Sequence, residues 1–144
     1  MRDLICYNGG GICNRLQPLA TCMAIAQKHK RRLLVYWEDA EYCQAHLKDL
    51  FQTPFDFITL DDLQEMGYPA SWAPTALGLK PIHRRISEAT KWDISDLDKD
   101  KRVLIFGSRF GEYLRPEAEE MIRSLVPAQD IQDTINKYIK DFKN

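Results

Sequence analysis

Residues Leu4-Ile5-Cys6-Tyr7-Asn8-Gly9-Gly10-Gly11-Ile12-Cys13-Asn14-Arg15-Leu16 decide how the chain is read. Leu4 to Tyr7 is a short apolar run, and glycines follow at once. That pattern predicts a buried strand running into a tight loop. Beyond the loop, Leu16, Leu19, Ala20, Met23 and Ala26 recur at helical spacing and give one apolar face. The predicted helix begins between Asn14 and Gln17 and runs to about Lys30. Pro18 is then expected in its first turn, where a missing N–H does no harm. Lys28 to Arg32 place cations at the helix C-terminus, where the dipole favours them. Leu33 to Trp37 reads as a second strand. Strand, glycine loop, helix and strand make a βαβ unit, whose strands run parallel with a right-handed crossover.

Further along, Glu41 to Phe51 reads as a short helix and Phe55 to Leu60 as a third strand, with another helical turn starting at Asp61-Asp62-Leu63. Residues 67–101 are punctuated by Gly67, Pro69, Pro74, Gly78 and Pro81 and give no clear period. Arg102 to Phe106 reads as a strand. Pro116 to Leu125 reads as a helix with Glu117, Glu119 and Glu120 in its early turns. In the last segment Ile131, Ile135, Tyr138 and Phe142 share one helical face. The expected fold class is α/β, a Rossmann-like parallel sheet with flanking helices.

The 144 residues suit one domain or one half of a two-domain enzyme. Lys and Arg number 20 against 21 Asp and Glu. That balance argues against a partner presenting extended negative charge, such as nucleic acid or an anionic membrane. No stretch approaches the ~20 apolar residues of a membrane span, and the start lacks a secretory apolar run. Cys6, Cys13, Cys22 and Cys43 form no C-x-x-C pair and read as reduced thiols, so a cytoplasmic protein is expected. His29, His46 and His83 stand isolated, so no metal site is expected.

The glycine loop is where chemistry is expected. It follows a strand and precedes a helix, the place where open α/β sheets bind ligands. Gly9, Gly10 and Gly11 let the backbone approach a phosphate, and the helix N-terminus supplies N–H donors and partial positive charge. Asn14 adds a neutral donor, and Arg15 adds a cation suited to bidentate phosphate contacts. The loop is neither a P-loop nor a dinucleotide fingerprint, which would need Gly where Asn14 stands. A plain strand-to-helix turn that binds nothing is the competing reading. Glu38 follows the second strand and is a candidate general base, against simple solvation. Trp37 is either a sugar-stacking platform or core.

Gly9-Gly10-Gly11-Ile12-Cys13-Asn14-Arg15-Leu16-Gln17-Pro18-Leu19-Ala20 resembles the first loop of the fucosyltransferase-like GT-B glycosyltransferases, the group of α1,2-, α1,6- and protein O-fucosyltransferases. The order of elements follows that family through Trp37, and Cys43 to Phe51 is similar to its next segment. The resemblance implies inverting transfer of fucose from GDP-fucose to a glycan hydroxyl, without a metal or other cofactor. It places Asn14 and Arg15 beside the donor diphosphate. The family's second motif, His-x-Arg-Arg-x-Asp, follows a segment like Leu125 to Phe142, and its arginine stabilises the leaving diphosphate. His83-Arg84-Arg85 lacks the spacer and a preceding apolar strand, and reads as a solvated basic stretch.

Residues 1–144 are therefore expected to form a single α/β domain, the N-terminal half of such an enzyme, with the donor-clamping half absent. Its expected partners are a nucleotide sugar, a glycan acceptor and a separately encoded donor-binding half. On its own the chain is expected to bind nucleotide sugar weakly and to be inactive. The rival readings are a non-catalytic module binding a glycan or a partner, and an unrelated nucleotide-binding α/β protein.

Overall fold

A computed structural model describes residues 2–8, 11–37, 43–67, 83–86, 96–99, 102–106 and 114–143. Strand β1 (Asp3–Asn8) leads through the glycine loop into helix α1 (Ile12–Lys28), which returns to β2 (Arg32–Trp37). Helix α2 (Leu47–Leu50), β3 (Asp56–Ile58) and α3 (Leu60–Glu65) follow. Then come β4 (His83–Ile86), α4 (Asp96–Lys99), β5 (Arg102–Phe106), α5 (Arg115–Arg123) and α6 (Gln129–Lys143).

The five strands form one sheet in the order β3-β2-β1-β5-β4, with every neighbouring pair parallel. The chain moves outward from β1 to β3 on one side, then crosses to build β4 and β5 on the other. β1 is therefore the strand at which the direction of winding reverses, and α/β sheets bind ligands outside the carboxyl ends of strands at such a point. The residue placed there by register is the last of β1, Asn8, paired with Trp37.

A parallel sheet must be covered on both faces, and alternate residues of β1 and β2 serve the two sides. Leu4, Cys6, Leu33, Val35 and Trp37 pack with Leu19, Cys22 and Ile25 of α1. Ile5, Tyr7 and Leu34 pack with Leu63 of α3. α5 lies along α1, where Met121 joins the first cluster.

Three expectations change. α1 starts at Ile12, earlier than the predicted Asn14–Gln17, so Pro18 sits inside the helix rather than in its first turn. There it removes the N–H that would bond the Asn14 carbonyl, and its ring crowds that carbonyl. Only Leu47–Leu50 of the predicted 41–51 helix is helical among the described residues, since Phe51 instead bridges Pro127. His83–Ile86, in the 67–101 stretch for which the sequence predicts no element, forms the edge strand β4. An edge strand of a sheet is where charged residues are tolerated.

Charged side chains tie the opposite, N-terminal edge of the sheet together. Arg31 follows a non-glycine αL residue, Lys30 (φ 51°), in a Schellman-type turn whose Arg31 N–H bonds the Ala26 carbonyl at 2.9 Å. The turn delivers the Arg31 side chain into a buried position. There it donates to the Leu97 carbonyl through Nε (2.7 Å) and Nη2, and to the Asp3 carbonyl at 2.9 Å. Arg32 and Arg102 flank the Asp3 carboxylate at 3.0 and 3.6 Å. α4 is thereby pinned to the start of β1 and β2.

Candidate functional site

At the carboxyl edge of the sheet, Gly11 is the N-cap of α1, with extended backbone (φ −69°, ψ 168°) and no side chain to offer. No acidic residue stands in the first turn. The leading N–H groups of a helix have no intrahelical acceptor. Here Gly11 offers them no capping side chain, and the Arg15 N–H bonds back to the Gly11 carbonyl at 3.2 Å. The turn thus keeps the donor set and dipole that favour an anion. Cys13 and Asn14 in this turn are exposed.

Arg15 is placed differently from the other loop residues. Its side chain is fully buried, at 0% exposure, and its guanidinium lies 5.0 Å from the centre of the Trp37 ring. Trp37 is itself fixed, because its Nε1–H donates to the Ala45 carbonyl at 2.9 Å. The Cys43 thiol reaches the same carbonyl at 3.5 Å. Trp37 is core in this structure, 8% exposed. On the other face, Tyr7 and Tyr36 stack with ring centres 4.7 Å apart, close to the ends of β1 and β2.

The structure therefore brings Gly11, Asn14 and Arg15 to the first turn of α1, with Asn14 outward and Arg15 inward. Gly9, Gly10 and Glu38 lie outside the described residues. The sequence reading missed the Arg15–Trp37 stack. The available signal was the spacing itself: register pairing puts Trp37 beside Asn8, and the first turn of α1 returns over the same sheet face. Among the described residues no group of His, Cys, Asp and Glu could hold a metal ion, and no helix is long and apolar enough to cross a membrane. None of the four cysteines is in a disulfide. Burial, and next a hydrogen bond with Cys6, push the Cys22 thiol well above its ordinary pKa.

No family model and no curated protein matches the chain. Solved structures do. NodZ, an α-1,6-fucosyltransferase soaked with GDP-fucose, superposes with a TM-score of 0.57 at 12% identity, over 98% of this chain and 56% of that one. A mutant of FUT1 from Arabidopsis thaliana, in complex with GDP, gives 0.55 at 13% identity, over 97% of this chain and 40% of that one. What these likenesses show is the fold. The chain has an α/β fold shared with part of each of these proteins, and it spans about half the length of the first or less of the second.

Proposed function

We infer that the chain is the N-terminal half of a fucosyltransferase-like glycosyltransferase, taking a nucleotide sugar, GDP-fucose in the first instance, and a glycan hydroxyl as substrates. The observation that carries this reading is the uncapped first turn of α1, set at the winding reversal of a parallel sheet that resembles fucosyltransferases over nearly its full length. The main-chain N–H groups after Gly9, Gly10 and Gly11, with the Asn14 amide, receive the diphosphate. Arg15 supplies a fixed positive charge behind them. Because the Arg15 side chain is fully buried, direct contact between its guanidinium and phosphate needs the covering groups to move aside. While buried, Arg15 acts through its field, which a low-dielectric surround strengthens.

In the reaction the acceptor oxygen bonds to the anomeric carbon as the bond from that carbon to the diphosphate oxygen breaks. The electron pair leaves with GDP, and the configuration inverts. Glu38 takes the acceptor proton. The donor is enclosed by a second α/β half, in the same polypeptide or separately encoded. This chain alone therefore binds nucleotide weakly.

Saturation-transfer NMR suits binding of that strength. The expected result is transfer to GDP and GDP-fucose that is lost in Asn14→Ala and reduced in Arg15→Ala. Equal signals in wild type and Asn14→Ala, or none with the folded wild type at millimolar GDP, would remove the loop from the donor site. The full burial of Arg15 favours a second reading, a non-catalytic module that binds a glycan or a partner. Glycan signals without any GDP signal would support that one.

A further inference from the structure

We propose that the apolar face of α6 is a self-association surface on which a second copy of this chain docks antiparallel. α6 contains no buried residue. Ile135 and Ile139 are nearly half exposed, Tyr138 is 61% exposed and Phe142 is 88% exposed. With Ile131 these residues share one side of a fifteen-residue helix. The spacing of 131, 135, 138 and 142 is the four-three-four repeat that seats one helix against another. Contiguous exposed apolar surface of this kind marks an interaction site.

Charge selects the occupant. α6 carries Asp130, Asp133 and Asp141 against Lys137, Lys140 and Lys143, so it is neutral as a whole. A helix that lies on anionic lipid has a polar face rich in Lys and Arg without balancing acids. The charge is instead polarised along the axis. Both acids before Asn136 precede all three lysines, leaving one end negative and the other positive. Parallel pairing of two copies would set Asp beside Asp and Lys beside Lys, whereas antiparallel pairing sets each end against its opposite and opposes the helix dipoles.

The apolar spacing has the same symmetry. Ile131 and Phe142 lie equally far from the midpoint between Asn136 and Lys137, as do Ile135 and Tyr138. A two-fold axis through that midpoint matches apolar to apolar, the self-complementarity an isologous contact requires. Five side chains per copy fall well short of the ~20–30 residues a side in a standard interface. The dimer is therefore weak and reversible.

Sedimentation velocity on the 144-residue chain between about 1 and 300 μM, the range in which small interfaces equilibrate, tests this. The expected result is a concentration-dependent monomer–dimer equilibrium. In Phe142→Asp and Tyr138→Asp the association constant falls at least about tenfold with an unchanged circular-dichroism melt, since both side chains are exposed in the single chain. A monomer throughout the range would overturn the proposal, as would equal dimerisation in both variants. So would a monomeric chain that floats with neutral phosphatidylcholine vesicles, which would make the face a lipid-binding one.

Discussion

The Arg15 guanidinium, wholly buried, lies 5.0 Å from the centre of the Trp37 ring and joins the first turn of α1 to the last residue of β2. A cation above an aromatic face is worth about 2 kcal/mol when desolvated. More is at stake when the ring goes, because its loss leaves a cavity in the core beside the guanidinium. Trp37→Leu removes the ring face and the hydrogen bond to the Ala45 carbonyl together, and should lower unfolding free energy by about 3–5 kcal/mol. Trp37→Phe keeps a ring face and loses the hydrogen bond, at about 1–2 kcal/mol. Urea denaturation of the three proteins checks the order. Equal midpoints for Leu and Phe would show that the stack contributes nothing.

Arg31 holds α4 to the sheet through the Leu97 and Asp3 carbonyls. Arg31→Met keeps the apolar stem but leaves two buried carbonyls without their donor. The expected cost is about 3 kcal/mol, from hydrogen bonds to a charged group plus the unmet acceptors. Hydrogen exchange should localise the effect, with amides of residues 96–99 and 102–106 gaining most. Uniform acceleration across the chain would deny Arg31 a clasping role.

The βαβ unit was legible because Leu4–Tyr7 and Leu33–Trp37 are apolar runs of strand length with a 3.6-period helix between them. The start of α1 was misplaced because Pro18 was assigned to the first turn, whereas tertiary packing of Leu19, Cys22 and Ile25 carries the helix through it. β4 was illegible because an edge strand needs no apolar run. Its residues pair by backbone with β5, and His83-Arg84-Arg85 carries no periodicity to announce that. The position of the glycine loop was readable from its flanking strand and helix. The inward turn of Arg15 was not, because arginine is among the residue types least often fully buried and its ring partner lies 22 positions away in sequence.

Stability should fall at both ends of the pH scale, for different groups. The exposed Asp98 carboxyl is held below its ordinary value first by its hydrogen bond with His29, at 3.1 Å, and then by nearby arginines. Asp62 is lowered first by the Thr59 N–H of the α3 capping box. Groups depressed in the fold contribute above their unfolded pKa, and that contribution is lost as pH falls through the folded value. Asp98→Asn and Asp62→Asn should therefore flatten the acid limb of a plot of urea midpoint against pH. Cys22 is raised, so its neutral form is the one the fold accepts. Its contribution is intact below the ordinary thiol range and is lost as pH rises beyond it. Cys22→Ala should flatten the alkaline limb. At pH 7 a thiol reagent should label exposed Cys13 in the native chain and reach buried Cys6, Cys22 and Cys43 only after unfolding.

Gly11 separates a binding role for the first turn of α1 from a merely structural one. Its backbone is extended with negative φ, so a side chain is tolerated there without strain. Aspartate at an N-cap accepts from the N–H of the second or third helical residue and also complements the dipole. Gly11→Asp should thus stabilise the chain by about 0.5 kcal/mol, since glycine is only a few tenths worse as a cap and the dipole adds a similar amount. The same carboxylate would occupy the donors proposed for a diphosphate and repel its charge. Nucleotide binding should fall below detection in saturation-transfer NMR while the melting temperature rises. Gly11→Ala fills the space without supplying an acceptor, and should weaken binding with little change in stability. Were Gly11→Asp to bind GDP as wild type does, the uncapped turn would be an ordinary strand-to-helix connection, and the proposed diphosphate cradle would have to be abandoned.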